Sequence, residues 1–174
     1  APKDFEELKQ MLEYAFKLNK PVVIRYPRGG EGNTKFIMHS QIAEGKAEVI
    51  KYGNDVSIIG IGKMVEKAKE VAELLKIDNI DAEVVNVRFL KPIDEKQIIE
   101  SINKTKKVVT IEDGTIVGGL YSKICEIANK YNINKHILGF AYPDEFIRHG
   151  SVVELEKLYG LDSSNIYKKV RESL

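Results

Sequence analysis

The chain has 174 residues, enough for one ordinary domain and part of another, and 43% of them are hydrophobic, enough to bury a core. The 27 lysines and arginines nearly balance the 26 aspartates and glutamates, which argues against nucleic acid as the main partner. The single cysteine, Cys125, excludes an intramolecular disulfide and a cysteine-clustered metal site. No apolar run is long enough to span a membrane. We therefore expect a cytoplasmic protein that binds neither nucleic acid nor membrane.

The first part of the chain predicts a helix followed by a strand. Apolar residues recur at helical spacing over 5–16, Asp4 is suited to the N-cap, and Glu7 would complete a capping box. An apolar run then predicts a buried strand over 22–25. The stretch 29–41 is rich in glycine, has no clear period and predicts a linker.

Beyond the linker, strands and helices alternate. Two strand-like runs flank Gly53 and Asn54, a turn-forming pair, and predict a hairpin whose first strand lies antiparallel at a sheet edge. Alternation of strands with helices of this length predicts right-handed βαβ crossovers. The fold class is therefore α/β, with three layers and a mainly parallel sheet. The later elements are helices in 63–76, 94–105, 118–131, 151–158 and 162–173, and strands in 81–90, 106–113 and 136–141.

Three arginines stand at predicted strand ends, where the ligands of open α/β sheets bind. Arg25 and Arg28 follow the first strand, and Arg88 ends the strand in 81–90. A guanidinium is a rigid fork of donors that matches phosphate or carboxylate, so converging arginines could form an anion pocket. Each could instead cap backbone carbonyls or pair with a surface carboxylate. The residue pattern alone leaves both interpretations open.

Two acids and a histidine are further candidates. Glu112 and Asp113 end a predicted strand, where they could serve acid–base chemistry, form a solvated strand end or contact a partner subunit. His149 has no serine or cysteine nucleophile visibly spaced to pair with it. No spacing typical of three metal ligands occurs. The residues alone predict an anion site without a complete catalytic set.

Six segments together resemble a known family. In chain order, the segments are PVVIRYPRGG, IGIGKMVEKA, VVNVRFLKPID, VTIEDGTIVGGLYSKI, GFAYPDEFIRHG and YGLDSSNI. They resemble the C-terminal third of the 1-deoxy-D-xylulose-5-phosphate synthases, thiamine diphosphate enzymes of the transketolase superfamily. The chain departs from the family at GFAYPD, where a form closer to GIPD is expected, and at IED, where two glutamates are more usual. Neither departure touches the arginines.

This resemblance implies a domain organisation and an activity. Residues 1–28 would end a pyrimidine-binding domain, 29–41 would be a linker, and 42–174 would form a transketolase C-terminal domain. Enzymes of the family condense pyruvate with glyceraldehyde 3-phosphate, release carbon dioxide, and feed isoprenoid (terpenoid), thiamine and pyridoxal biosynthesis.

The resemblance also implies site residues. The phosphate clamp of the family includes the arginines that correspond to Arg25 and Arg88, and Arg28 is a weaker candidate for the same cluster. No catalytic, cofactor-binding or metal-binding residue is expected in this chain.

Thiamine diphosphate and Mg²⁺ serve the complete enzyme, which the family resemblance implies is a homodimer. Neither is expected to bind this part, because the remaining N-terminal and pyrimidine-binding domains and their motifs are missing from the sequence. We therefore expect a fragment, or one half of a split enzyme, that is inactive alone. The alternatives are the C-terminal half of a transketolase, the β-subunit tail of a 2-oxoacid dehydrogenase E1, or a non-catalytic assembly domain.

Overall fold

Six helices and five strands form the part of the chain that the structure, a computed structural model, describes: residues 1–27, 30, 32, 35, 36 and 40–174. The helices are α1 (Phe5–Leu18), α2 (Met64–Ile77), α3 (Glu95–Lys104), α4 (Leu120–Lys130), α5 (Val152–Leu158) and α6 (Ser163–Ser173). The strands are β1 (Glu48–Lys51), β2 (Val56–Gly60), β3 (Ala82–Asn86), β4 (Lys107–Thr115) and β5 (Ile137–Tyr142). None of the described helices is long and apolar enough to cross a membrane.

The strands form one mixed sheet in the order β1-β3-β2-β4-β5. β2 pairs in parallel with β3 and β4, and β4 pairs in parallel with β5, whereas β1 runs antiparallel to β3 at the edge. Helices α2 and α6 cover one face, and α3 and α4 cover the other. The predicted α/β class, with its mainly parallel sheet and antiparallel edge strand, is confirmed.

The central strands are buried on both faces because helices cover both sides of the sheet. Ile58 on β2 packs into the α2–α6 side, and its neighbour Ile59 packs into the α3–α4 side. Successive side chains of a strand point to opposite faces, so a continuous apolar run fits this position. Burying each isoleucine contributes about 1.5–3 kcal/mol.

The predicted hairpin around Gly53 is wrong, because β3 lies between β1 and β2. β2 is buried along its whole length and occupies the centre of the sheet with two parallel neighbours, whereas β1 is only partly buried and takes the edge. Gly53 serves a close approach of two backbones. A Cβ at this position would overlap the backbone at Ala82 and Glu83.

The strand predicted over 22–25 does not form in the described chain. Residues 21–27 have no regular secondary structure, and Val23 leaves 95% of its surface exposed. A strand needs a hydrogen-bonded neighbour. The described sheet ends at β1 and β5 without reaching this segment, so its apolar residues have no sheet to join.

Gly119 opens α4 at a point where no side chain would fit. The buried Glu112 carboxylate accepts hydrogen bonds from the backbone nitrogens of Leu120 (2.8 Å) and Tyr121 (3.0 Å) and so caps the helix. A Cβ on Gly119 would overlap this carboxylate and the carbonyl oxygen of Thr115. The glycine is therefore needed for the cap to form.

We expect Gly119→Ala to lower the free energy of unfolding by about 1–3 kcal/mol, because the added methyl group overpacks a buried site. Gly30→Ala is the matched control, since no atom of the described residues lies within 4 Å of a Cβ there. It should change stability by less than about 0.5 kcal/mol. Urea unfolding followed by circular dichroism measures both, and equal stabilities would contradict the capping contact.

Candidate functional site

Arg88 lies just beyond β3, at the carboxyl end of that strand. Its φ angle of +60° places it in the left-handed region, which is uncommon for a residue other than glycine. Its backbone nitrogen donates a hydrogen bond to Oδ1 of Asn86, the last residue of β3 (3.3 Å). The side chain is only 1% exposed, so Arg88 is a buried cation rather than a surface charge.

Two carboxylates bind the Arg88 guanidinium. Its Nε donates to Oε1 of Glu7 (2.7 Å), and its Nη2 lies 3.0 Å from Oε1 of Glu48. Nη2 also donates to the backbone oxygen of Ser40 (3.0 Å). The amide of Asn86 donates to the same Glu7 carboxylate (2.9 Å). Four parts of the chain thus meet at one guanidinium: helix α1, the segment before β1, β1 itself and the end of β3.

Lys3 completes this group by binding both carboxylates. Its Nζ lies 3.2 Å from Oε1 of Glu7 and 3.0 Å from Oε2 of Glu48, and its backbone nitrogen donates to Oε2 of Glu7 (2.7 Å). We call Lys3, Glu7, Glu48, Asn86 and Arg88 the buried charge cluster. Its two cations offset its two carboxylates, as buried charges require.

The pKa of Glu48 reflects these contacts. Burial alone would raise it, but the hydrogen bond from the Ser40 backbone and the charges of Lys3 and Arg88 outweigh burial and hold the pKa below its ordinary value of 4.5. Glu48 therefore stabilises the fold above pH 4.5. This contribution is lost as the pH falls through the lower folded-state pKa.

Arg25 has a different environment. Its side chain is exposed, and its Nη1 donates a hydrogen bond to the backbone oxygen of Asp113 at 2.9 Å. The Asp113 carboxylate lies 3.4 Å from Nζ of Lys63, at the start of α2. The Arg25 contact ties the segment after α1 to the carboxyl end of β4.

A cleft of about 560 Å³ brings Arg25 and Arg88 together. It lies between α1, residues 20–25 and the loop after β3. Its charged lining consists of Lys20, Arg25, Arg88 and Lys91 against Glu44 and Glu112. Glu7 and Glu48 offset the Arg88 charge, so the rest of the lining carries one net positive charge, which favours an anionic ligand. The third predicted arginine, Arg28, lies outside the described residues.

The other candidates from the sequence do not form a catalytic set. Glu112 caps α4, Asp113 pairs with Lys63, and His149 is exposed. In the described part of the chain, no group of three or more His, Cys, Asp or Glu side chains could hold a metal ion. Mg²⁺ is a cation that prefers oxygen ligands, so a cleft lined mainly by cationic side chains does not fit it. These residues therefore take no part in thiamine diphosphate chemistry in the steps described below.

The family model described as "Transketolase, C-terminal domain" matches residues 45–166. The chain belongs to the transketolase C-terminal domain family. A solved structure titled "Split gene transketolase, inactive beta4 tetramer" has a TM-score of 0.89 and 30% identity to it. The alignment covers 98% of this chain and 55% of that one. The transketolase-type three-layer fold implied by the sequence motifs is therefore confirmed.

Curated relatives narrow the group of transketolase-type proteins that this chain resembles. The 1-deoxy-D-xylulose-5-phosphate synthase of Caldanaerobacter subterraneus subsp. tengcongensis is 42% identical over 99% of this chain and 29% of its own length. The enzymes of the same name from Heliobacterium modesticaldum and Natranaerobius thermophilus are 40% and 42% identical to this chain. The alignments cover 99% and 100% of this chain, and 27% and 28% of those two enzymes. The resemblance to this group is confirmed, and the chain spans less than a third of these relatives' length.

The sequence analysis missed the acids that bind Arg88. Glu7 was interpreted as half of a capping box; Asp4 does cap α1 by accepting from the Glu7 nitrogen (2.7 Å), but the Glu7 carboxylate turns inward. One signal was present in the sequence. Glu7 lies four residues before Met11, on the buried face of the helix, where an acid requires a buried cation.

We expect Arg88→Met to lower the free energy of unfolding at pH 7 by about 3–5 kcal/mol, because Glu7 and Glu48 would remain buried without the guanidinium. The Arg88 charge is one of the causes that lower the pKa of Glu48, so its loss raises that pKa in the folded variant and the deficit should shrink as the pH falls from 7 to about 4. Urea unfolding at both pH values measures the effect.

Arg171→Met provides the control for this substitution. Arg171 pairs with Asp78 at 3.0 Å on the surface, and its loss should cost less than about 1 kcal/mol. Equal costs for the two variants, or a deficit at Arg88 that does not change with pH, would contradict a stabilising buried cluster.

Proposed function

We propose that this chain supplies the substrate-phosphate site of a 1-deoxy-D-xylulose-5-phosphate synthase. The enzyme condenses pyruvate with glyceraldehyde 3-phosphate, with loss of carbon dioxide, toward isoprenoid, thiamine and pyridoxal precursors. The observation that carries the proposal is the cleft that Arg25 and Arg88 share. Support comes from relatives of that name at 40–42% identity over nearly the whole chain.

In this proposal, the two arginines bind the phosphate of the aldehyde substrate, with Arg28 as a further candidate. Hydrogen bonds between charged partners contribute about 1.5–3 kcal/mol each. Binding the phosphate holds the aldehyde carbon where the new bond forms, which gives a bimolecular step the advantage of an intramolecular one.

The remaining domains of the enzyme would hold its cofactors. Residues 1–28 end the pyrimidine-binding domain, 29–41 form the linker, and thiamine diphosphate and Mg²⁺ bind outside this chain in a cytoplasmic homodimer. The match of the C-terminal family model from residue 45 onward supports this division. The relatives, of which the chain spans 27–29%, support the view that it does not turn over alone.

A transketolase or a 2-oxoacid dehydrogenase E1 β subunit is the alternative catalytic assignment. The solved split-gene transketolase is 30% identical, against 40–42% for the synthases. The higher identity favours the synthase.

The phosphate site can be tested in a chimera in which this chain replaces the matching region of the Caldanaerobacter relative. We expect Arg25→Ala and Arg88→Ala each to raise the KM for glyceraldehyde 3-phosphate at least about tenfold, as the loss of one charge-assisted contact implies. The KM for pyruvate should remain within about twofold, because pyruvate carries no phosphate.

Lys106→Ala is the control, since Lys106 pairs with Asp55 at the opposite ends of the strands. An active chimera whose arginine variants leave the aldehyde KM unchanged would contradict the phosphate site. A folded chimera without activity would contradict the assignment of this chain to the synthase.

A subunit contact is a second proposed role, favoured by exposed apolar side chains beside α5. Phe146 is fully exposed, and Val153 and Leu158 are largely exposed. These side chains lie within 13 residues of the sequence, and exposed apolar patches are typical of an interface.

We expect the chain to associate at about 100 µM, and Phe146→Asp with Val153→Asp to make it monomeric, because charges would replace the apolar contact. Sedimentation velocity measures the masses, and circular dichroism checks the fold. Lys157→Asp, on the same helix, is the control for added acidic charge. Association that survives the double substitution would contradict this surface as the contact.

A further inference from the structure

Among the residues that the structure describes, partners bind the Arg88 guanidinium along one edge only. Its Nε and Nη2 bind Glu7, Glu48 and the Ser40 carbonyl at 2.7–3.0 Å. Its Nη1 has no hydrogen-bond partner among the residues that the structure describes. Since Arg88 also lines the cleft, Nη1 is the nitrogen left to donate to a ligand.

The two carboxylates are themselves held in place. Glu7 accepts from the Lys3 backbone nitrogen (2.7 Å) and from the Asn86 amide (2.9 Å). Glu48 accepts from the backbone nitrogen and the hydroxyl of Ser40, at 2.8 and 2.9 Å. A guanidinium bound to restrained acids has few orientations open to it.

Stability alone does not explain this arrangement. Apolar side chains of similar volume are often at least as stabilising as a buried ion pair. Arg88 also has a positive φ, a strained state that persists where the surrounding structure imposes it and that is frequent at ligand sites. Both observations indicate that the position of this guanidinium serves a ligand.

We propose that Glu7 and Glu48 are positioning residues, which hold the Arg88 guanidinium by its Nε–Nη2 edge and present Nη1 to a phosphate group in the cleft. This inference rests on the proposed phosphate role of Arg88. Holding the fork in advance removes the ordering of a flexible side chain from the binding step. Lys3 offsets the second carboxylate, so the acids position the donor without giving the cluster a net negative charge.

Two substitutions at Glu7 separate position from charge. Glu7→Asp keeps the charge but shortens the side chain by one methylene group, so it no longer reaches Nε. Glu7→Gln keeps an oxygen at the same reach but loses the charge. In the chimera, positioning predicts that Glu7→Asp raises the KM for glyceraldehyde 3-phosphate about tenfold, while kcat and the KM for pyruvate stay within about twofold. Glu7→Gln should raise the aldehyde KM less than Glu7→Asp does, because it keeps an oxygen within reach of Nε although its amide nitrogen meets the Lys3 backbone nitrogen.

Other outcomes overturn the inference. If the carboxylate only repels the phosphate, Glu7→Gln lowers the aldehyde KM and Glu7→Asp leaves it unchanged. If Glu7 competes with phosphate for Arg88, both substitutions lower that KM. If Glu7 only maintains the fold, both substitutions change kcat and both KM values together with the thermal midpoint.

Arg88→Ala in the same chimera separates this inference from the proposed function. An unchanged aldehyde KM in Arg88→Ala overturns the proposed function. A raised KM in Arg88→Ala with an unchanged KM in Glu7→Asp overturns only the positioning role.

A second measurement uses the 174-residue chain and needs no turnover. The Nε–H signal of Arg88 in ¹⁵N NMR, assigned by its loss in Arg88→Lys, should exchange slowly with water. Exchange should be at least about tenfold faster in Glu7→Asp, and the increase in Glu7→Gln should be smaller. Equal exchange in the wild type and Glu7→Asp would show that Glu7 does not hold the guanidinium.

Discussion

Neutralisation of the buried Arg88 charge fixes how the first helix lies against the sheet domain. Along α1 only Glu7 and Met11 are buried, and Phe16 leaves 86% of its surface in solvent. Apolar burial therefore contributes little to the docking of this helix. A buried charge without its partner costs several kcal/mol, so the guanidinium and the Glu7 carboxylate must stay together. An electrostatic requirement, rather than a shared core, sets the position of α1.

The cleft depends on the same requirement, because α1 and the segment after it form one of its walls. The opposite wall contains the loop after β3, whose backbone turns at Arg88. Contacts that hold the wall include those of Glu7 with Arg88 and Asn86, and that of Arg25 with the carbonyl of Asp113. Both arginine contacts lie at the carboxyl edge of the sheet, the edge where α/β folds place their ligands.

The pattern of the sequence predicted the layers and α1 with its Asp4 cap, but not the conformation of residues 22–25 or the pairing of β1. Helices α2, α3, α4 and α6 pack on the sheet, so the periodicity of their apolar residues reports their burial, and the Asp94 cap of α3 is confirmed. The strand over 22–25 failed because an apolar run cannot show whether a neighbouring strand exists. The predicted hairpin is wrong because the turn-forming pair at Gly53 is a local signal. Long-range contacts decide which strands pair. Arg88 was found from its place after β3, but its partners lie 81 and 40 residues away in sequence, beyond the reach of local spacing.

A phosphate site must both attract the anion and orient it, and different residues of the cleft serve these two purposes. The charges within the buried charge cluster offset one another, so the cluster orients the Arg88 donor but does not attract the anion. The attraction must come from exposed cations, Lys20, Arg25 and Lys91, opposed by Glu44. Salt screens exposed charges strongly and buried pairs weakly. In the proposed site, the lysines and Arg25 draw the anion into the cleft, and the direction in which Arg88 donates decides where the phosphate comes to rest.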